Sequence, residues 1–351
     1  MSELLWEKNI RQIPEARPFG RPDPLPDALR LRWSGSGVRL RLRCTALYVE
    51  IEAAYAEHAP WIAVLMDGAL ITRFVLERGR RWYAALLGMD EGAEHDIRIV
   101  RDTQPVPEEP DTRVTLHALR VGGEVLPCPA PAMTVEFVGD SLTSGEGMIG
   151  PVGAMEWRMA FLSASSSYAQ TVCNLLGAEG RWVSLCGWGV YTSWDGNRDH
   201  RLPLVYDGLC PVESDGDRPN DFSIAPADLI VVNLGTNDAS AVRGAAPEDR
   251  PAIRREIGRA AEAFLRQLRA RQPRATILWA YGMCDHPLGP TLRRAVESIR
   301  RGGDTNVYYL SLPACRAGEE GSREHPGAAA HRRAAQAIVR RWEEIREREE
   351  K

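Results

Sequence analysis

Four short segments carry side chains from which acyl-transfer chemistry is built. Val138-Gly139-Asp140-Ser141-Leu142 offers a hydroxyl in a tight turn, and Leu185-Cys186-Gly187-Trp188-Gly189 a glycine-rich bend. Leu234-Gly235-Thr236-Asn237-Asp238 offers a side-chain amide, and Glu324-His325-Pro326-Gly327 an imidazole. A serine hydroxyl is a poor nucleophile at its own pKa and needs an adjacent base, a task that suits imidazole near neutral pH. Attack on a carbonyl creates a negative oxygen, and each donor already aimed at it lowers the barrier by about 3 to 4 kcal/mol. The amide hydrogens of Ser141 and Gly187 and the side-chain amide of Asn237 are the candidate donors, and a glycine lets the backbone approach a substrate with no Cβ in the way. Taken alone, the Gly-Asp-Ser turn reads equally well as a helix cap. The four segments together favour the chemical reading.

These segments require elements that hold them. Apolar runs at Met133 to Val138, Trp182 to Cys186, Leu229 to Leu234, Ala275 to Tyr281 and Asn306 to Leu312 alternate with helical patterns, as in a parallel sheet covered on both faces. Each of the four segments lies at or just beyond the carboxyl end of a run, where open α/β sheets bind ligands. One helix presents Ile253, Ile257, Ala261, Phe264, Leu265 and Leu268 on a single face, and a last helix presents Ala335, Ile338, Val339, Trp342 and Ile345. His331 is expected to face outward on that last helix.

The first third of the chain has a different period. Val38, Leu40, Leu42 and Cys44 alternate with Arg39, Arg41, Arg43 and Thr45, and short strand-like runs follow at Leu47 to Ile51, Trp61 to Met66, Leu70 to Leu76, Ile97 to Val100 and Val114 to Leu119. This pattern predicts an all-β sandwich. The run Leu126-Pro127-Cys128-Pro129-Ala130-Pro131 breaks any ladder, so the expected division is residues 1–130 and 131–351.

With 44% hydrophobic and 26% charged residues and a net charge of −4, the 351-residue chain is neither disordered nor polycationic. Scattered arginines matched by acids argue against nucleic-acid binding. Met1 to Pro22 lacks the apolar core of an export signal, and no run reaches the ~18 apolar residues of a membrane span, so a cytoplasmic protein without a membrane partner is expected. The seven cysteines form no C-x-x-C pair and read as buried free thiols. Cys284-Asp285-His286 has no second cluster at ligand spacing, so no metal is expected. The acidic run Glu213 to Asp221 reads as a solvated loop. No phosphate-binding or dinucleotide glycine motif follows the first run, and no cofactor is expected.

The ordered set Gly139-Asp140-Ser141-Leu142, Gly187, Gly235-Thr236-Asn237-Asp238 and His325-Pro326 resembles the SGNH (GDSL) hydrolase superfamily. Trp33-Ser34-Gly35-Ser36-Gly37, Trp61 to Gly68, His95 to Thr103 and Cys186 to Val190 are similar to carbohydrate esterase family two. The resemblance implies a jelly-roll β-sandwich followed by an α/β/α three-layer domain with a mostly parallel five-stranded sheet. It also implies a serine esterase that removes acetyl groups from small saccharides, with Ser141 as nucleophile, His325 as base, and Ser141, Gly187 and Asn237 around the oxyanion. One position departs from the pattern. Many members carry an aspartate three residues before the histidine, where this chain has Ser322. Either a backbone carbonyl orients His325, as in members with a Ser/His dyad, or Glu320 or Glu324 supplies the carboxylate.

Trp188, Tyr191 and Trp194 read either as a stacking platform for a sugar ring or as ordinary packing. The 147–167 stretch reads as a lid, an oligomer contact or a surface excursion. The expected partner is an acetylated oligosaccharide or another short-acyl ester, with oligomerisation left open. The rival readings are an esterase or thioesterase for a different short acyl group, and a carbohydrate-binding protein with a vestigial hydrolase domain.

Overall fold

The computed structural model describes residues 5–349. Met1 to Leu4 of the N-terminal stretch, and the last two residues, lie outside it. The chain forms two compact units. One comprises the chain up to Ala130 with residues 158–160 and 208–218, and the other comprises 131–157, 161–207 and 219 onward.

The first unit is built from antiparallel strands. They are β1 (Trp6–Asn9), β2 (Arg17–Phe19), β3 (Asp23–Pro24), β4 (Leu29–Arg30), β5 (Gly37–Ala54), β6 (Trp61–Met66), β7 (Ala69–Val75), β8 (Gly79–Leu87), β9 (His95–Arg101) and β10 (Arg113–Leu126). The alternating run that begins at Val38 and the run at Leu47 to Ile51 belong to one 18-residue strand, β5. Its first part pairs with β9 and its second with β8, while β10 runs along the opposite edge. Register shifts in β10 at Leu116/Ala118 and Gly122/Gly123 bend the pair. Gly123 is required there: its φ is 144°, and a Cβ would meet the Arg43 carbonyl oxygen at 2.2 Å. Inward residues such as Val38, Leu40, Val49, Ile51, Ile97, Leu116 and Leu119 form the core.

In the run from Glu213 to Asp221, Asp215, Asp217 and Asp221 are exposed as in a solvated loop, and Glu213 corrects that reading. Glu213 is 1% exposed and accepts from Arg32 Nη1 at 2.9 Å and Arg101 Nη1 at 2.7 Å. Arg32 also pairs with Asp23 and Asp215. Buried guanidinium groups are tolerated only with such partners, which sequence spacing does not reveal.

The second unit holds a five-stranded sheet in the order β12-β11-β13-β14-β15, parallel throughout. Its strands are β11 (Thr134–Gly139), β12 (Glu179–Ser184), β13 (Leu229–Asn233), β14 (Thr276–Tyr281) and β15 (Val307–Ser311). Every residue of β11 to β14 is buried, as expected for strands covered on both faces. The helices are α1 (Ser141–Ser144), α2 (Tyr168–Leu176), α3 (Leu202–Val205), α4 (Asp238–Gly244), α5 (Arg250–Arg271), α6 (Gly289–Arg301) and α7 (Ala328–Glu349). α2 packs with α7 and α5 with α6. Val135, Phe137, Val231 and Leu278 meet Tyr168, Val172, Ala334, Ala335 and Ile338 in one cluster. No helix among the described residues is long and apolar enough to cross a membrane.

His331 does not face outward. It is 1% exposed, and its Nδ1 accepts from the Tyr168 amide at the start of α2 at 2.9 Å. None of the seven cysteines is in a disulfide; Cys44, Cys173 and Cys210 are buried and the other four partly so.

Candidate active site

β11 ends at Gly139, and the chain turns at once into α1. Gly139 permits this because a Cβ there would lie 2.0 Å from Thr143 Oγ1. Asp140 caps α1 by accepting from the Leu142 amide at 3.1 Å. Ser141 is thereby the first residue of the helix, at the carboxyl end of the sheet.

The structure brings Ser141 and His325 together. Ser141 Oγ lies 3.0 Å from His325 Nε2, and His325 Nδ1 lies 2.9 Å from the carbonyl oxygen of Arg323. A carbonyl only accepts, so Nδ1 carries the proton and Nε2 is left to accept from the Ser141 hydroxyl. The carboxylate alternatives are corrected by this geometry. Arg323 O occupies the Nδ1 position, Glu320 accepts from the Gly318 amide at 2.8 Å, and the Glu324 carboxylate is not bonded to the ring.

Buried carboxylates tie the segments together, Asp140 joining the Asn237 segment to the first and Asp238 joining it to the loop after Gly187. Asn237 Nδ2 donates to the Trp188 carbonyl at 2.9 Å and to Asp140 Oδ2 at 3.2 Å, so donation to an oxyanion requires one of these bonds to be exchanged. Asp238 accepts from the amides of Val190, Tyr191 and Thr192 at 3.0, 2.7 and 3.0 Å, which shapes the bend that begins at Gly187. Gly187 has a φ of 80°, and a Cβ there would meet the Trp194 ring at 2.7 Å. Burial pushes Asp140 up to about 7, opposed by the amide of Leu142, and Asp238 up to about 6, opposed by the amides it binds. The sequence reading quoted both aspartates within their motifs but gave them no task.

The aromatic platform is also corrected. Trp188 is 7% exposed and stacks on His200 at 5.0 Å, and Tyr191 is 8% exposed with Arg198 over its ring. Only Trp194 of the three is open, at 66%. Sequence reasoning also missed Glu146, a 2%-exposed carboxylate whose Oε2 lies 3.6 Å from His325 Nε2. Its only signal is a charge in an apolar, glycine-rich turn, Gly145-Glu146-Gly147-Met148. Among the described residues no group of three or more His, Cys, Asp or Glu side chains is arranged to hold a metal ion.

Residues 137–341 match the model of the GDSL-like lipase/acylhydrolase family. The chain is 26% identical over 323 residues to the cellulase/esterase CelE of Acetivibrio thermocellus, covering 90% of this chain. It spans 37% of that relative's length. An acetyl xylan esterase from the rumen bacterium Butyrivibrio proteoclasticus has a similar structure, with a TM-score of 0.91 and 28% identity over 96% of this chain and 97% of that one. A family two carbohydrate esterase from Clostridium thermocellum, solved with cellohexaose, shares the fold at a TM-score of 0.78 and 23% identity, over 93% of this chain and 97% of that one. The family model spans all four segments, from the Ser141 turn to the His325 loop. The chain therefore belongs to the GDSL-like lipase/acylhydrolase family, and it is similar in sequence to a cellulase/esterase and to an acetyl xylan esterase.

Proposed function

We propose that this chain is a serine esterase that removes O-acetyl groups from small acetylated saccharides through an acetyl-serine intermediate. The observation that carries the reading is the contact of Ser141 Oγ with His325 Nε2 at 3.0 Å, with the ring's other nitrogen held by a carbonyl. The 28% identity to an acetyl xylan esterase along nearly the whole chain supports the choice of acyl group and alcohol.

In this mechanism His325 Nε2 takes the Ser141 proton as Oγ bonds to the acetyl carbonyl carbon, and the carbonyl π electrons move to oxygen. The Ser141 and Gly187 amides and Asn237 Nδ2 are the donors for that oxygen, Asn237 exchanging its 3.2 Å bond to Asp140. The bond to the sugar oxygen then breaks, and the departing alcohol takes the proton from Nε2. Water repeats the sequence, giving its proton to Nε2 and releasing acetate and free Ser141.

The test compares p-nitrophenyl acetate with its butyrate and octanoate homologues, beside Ser141→Ala. Acetate-selective turnover that falls by about a thousandfold or more in the variant is expected; turnover unchanged by the mutation overturns the assignment. Trp194, the exposed ring beside Gly187, supports a sugar-facing role. Trp194→Ala is expected to raise KM for acetylated xylo-oligosaccharides about fivefold or more while sparing p-nitrophenyl acetate, as loss of a stacking surface does.

A further inference from the structure

The site contains a carboxylate that the dyad alone does not require. Glu146 follows Ser141 by one turn; its amide donates to the Ser141 carbonyl at 2.9 Å, and its side chain is 3% exposed. It forms an ion pair with the Arg323 guanidinium, its Oε2 stands 3.6 Å from His325 Nε2, and the Cys186 thiol also bonds to it. Arg323 is the residue whose carbonyl accepts from His325 Nδ1.

The backbone at this carbonyl is held in an uncommon shape. Arg323 has φ 54° and ψ 35°, and Glu324 has φ 56°, both in the left-handed region that disfavours residues with a Cβ. Such residues persist only where their surroundings over-determine them. Here the Arg323 amide donates to the Ala154 carbonyl at 2.7 Å, and the guanidinium is gripped by Glu146. The residue is fastened at both ends.

We infer that Glu146 is a positioning residue for His325. It holds Arg323 so that its carbonyl stays on Nδ1, and its own charge beside Nε2 favours the imidazolium that forms when Ser141 gives up its proton. In a Ser-His-Asp site one carboxylate on Nδ1 does both tasks. A neutral carbonyl orients the ring but supplies no full charge, and Glu146 supplies it from the other side. Asp140 and Asp238 are engaged elsewhere, with Leu142, Asn237 and the loop amides. The inference rests on the Ser141–His325 reading above.

The experiment uses the full chain and p-nitrophenyl acetate. Glu146→Gln is expected to lower kcat by about tenfold to a hundredfold with KM held within about twofold, and Glu146→Asp to recover part of that loss. Arg323→Ala is expected to show the same split and Arg323→Lys to recover part of it. Wild-type kcat in Glu146→Gln overturns the inference. So does wild-type kcat in Arg323→Ala, which decides the matter if the Gln variant shows no folding transition. Ser141→Ala in parallel separates the two readings: turnover surviving there removes the dyad, whereas its loss beside an undiminished Glu146→Gln removes only the role of Glu146.

Discussion

His331 and Asp140 are both fully enclosed, and burial moves them in opposite senses. Desolvation, helped by the nearby His325, lowers His331 to about 3, so its neutral form is favoured in the folded chain. Its contribution to stability is complete above the unfolded value near 6.5 and is lost as pH falls toward 3. Asp140, raised to about 7 by burial, contributes stability that is complete below about 4 and is lost as pH rises through 7. His331→Asn keeps an oxygen acceptor for the Tyr168 amide and removes the first dependence. Urea unfolding is therefore expected to show that moving from pH 7 to pH 5 costs the variant about 2 kcal/mol less than it costs the parent; equal losses in both proteins reject the assignment. The aspartates were visible in the sequence as motif letters, but their enclosure was not, because desolvation depends on what later segments pile on top of them.

The turn after α1 and the loop before α7 meet at glycines. A Cβ at Gly147, whose φ is 85°, would lie 2.5 Å from His325 Cβ, and one at Gly321 would lie 1.8 Å from the Gly147 carbonyl oxygen. Gly147→Ala is expected to displace the imidazole and lower kcat for p-nitrophenyl acetate by about a hundredfold, the effect of an ångström-scale misplacement; a variant with parental kcat contradicts this packing. The strands that hold the site were legible, because β11, β13 and β14 are mainly apolar and β11, β12 and β13 each end on a chemically marked segment. The loops were less so. Residues 187–194 carry three aromatic rings whose equivalence in sequence hides two buried by His200 and Arg198 and one left open. Glu146 was passed over for the same reason, since only the folded loop brings Arg323 to it.

At the scale of the molecule, period-two alternation and the proline run at 126–131 identify antiparallel strands and where they stop, and β10 does end at Leu126. Alternation cannot say that two apolar runs are one strand, because the chain between Cys44 and Leu47 keeps the same extended backbone whether or not it bends. Nor can local pattern find ionic contacts across 181 positions, the separation of Arg32 from Glu213. Glu213→Ala leaves Arg101 and part of Arg32 without their buried anion and is expected to destabilise the chain by about 3 to 5 kcal/mol in denaturant unfolding; a loss below about 1 kcal/mol shows that these charges are reached by water. Because residues 208–218 complete the β-rich unit, a gene fragment stopped at codon 130 encodes the interior guanidinium groups of Arg32 and Arg101 and neither Glu213 nor Asp215, whose carboxylates pair with them. Dissecting this protein into halves at the proline run thus severs a unit that its primary structure delivers in instalments.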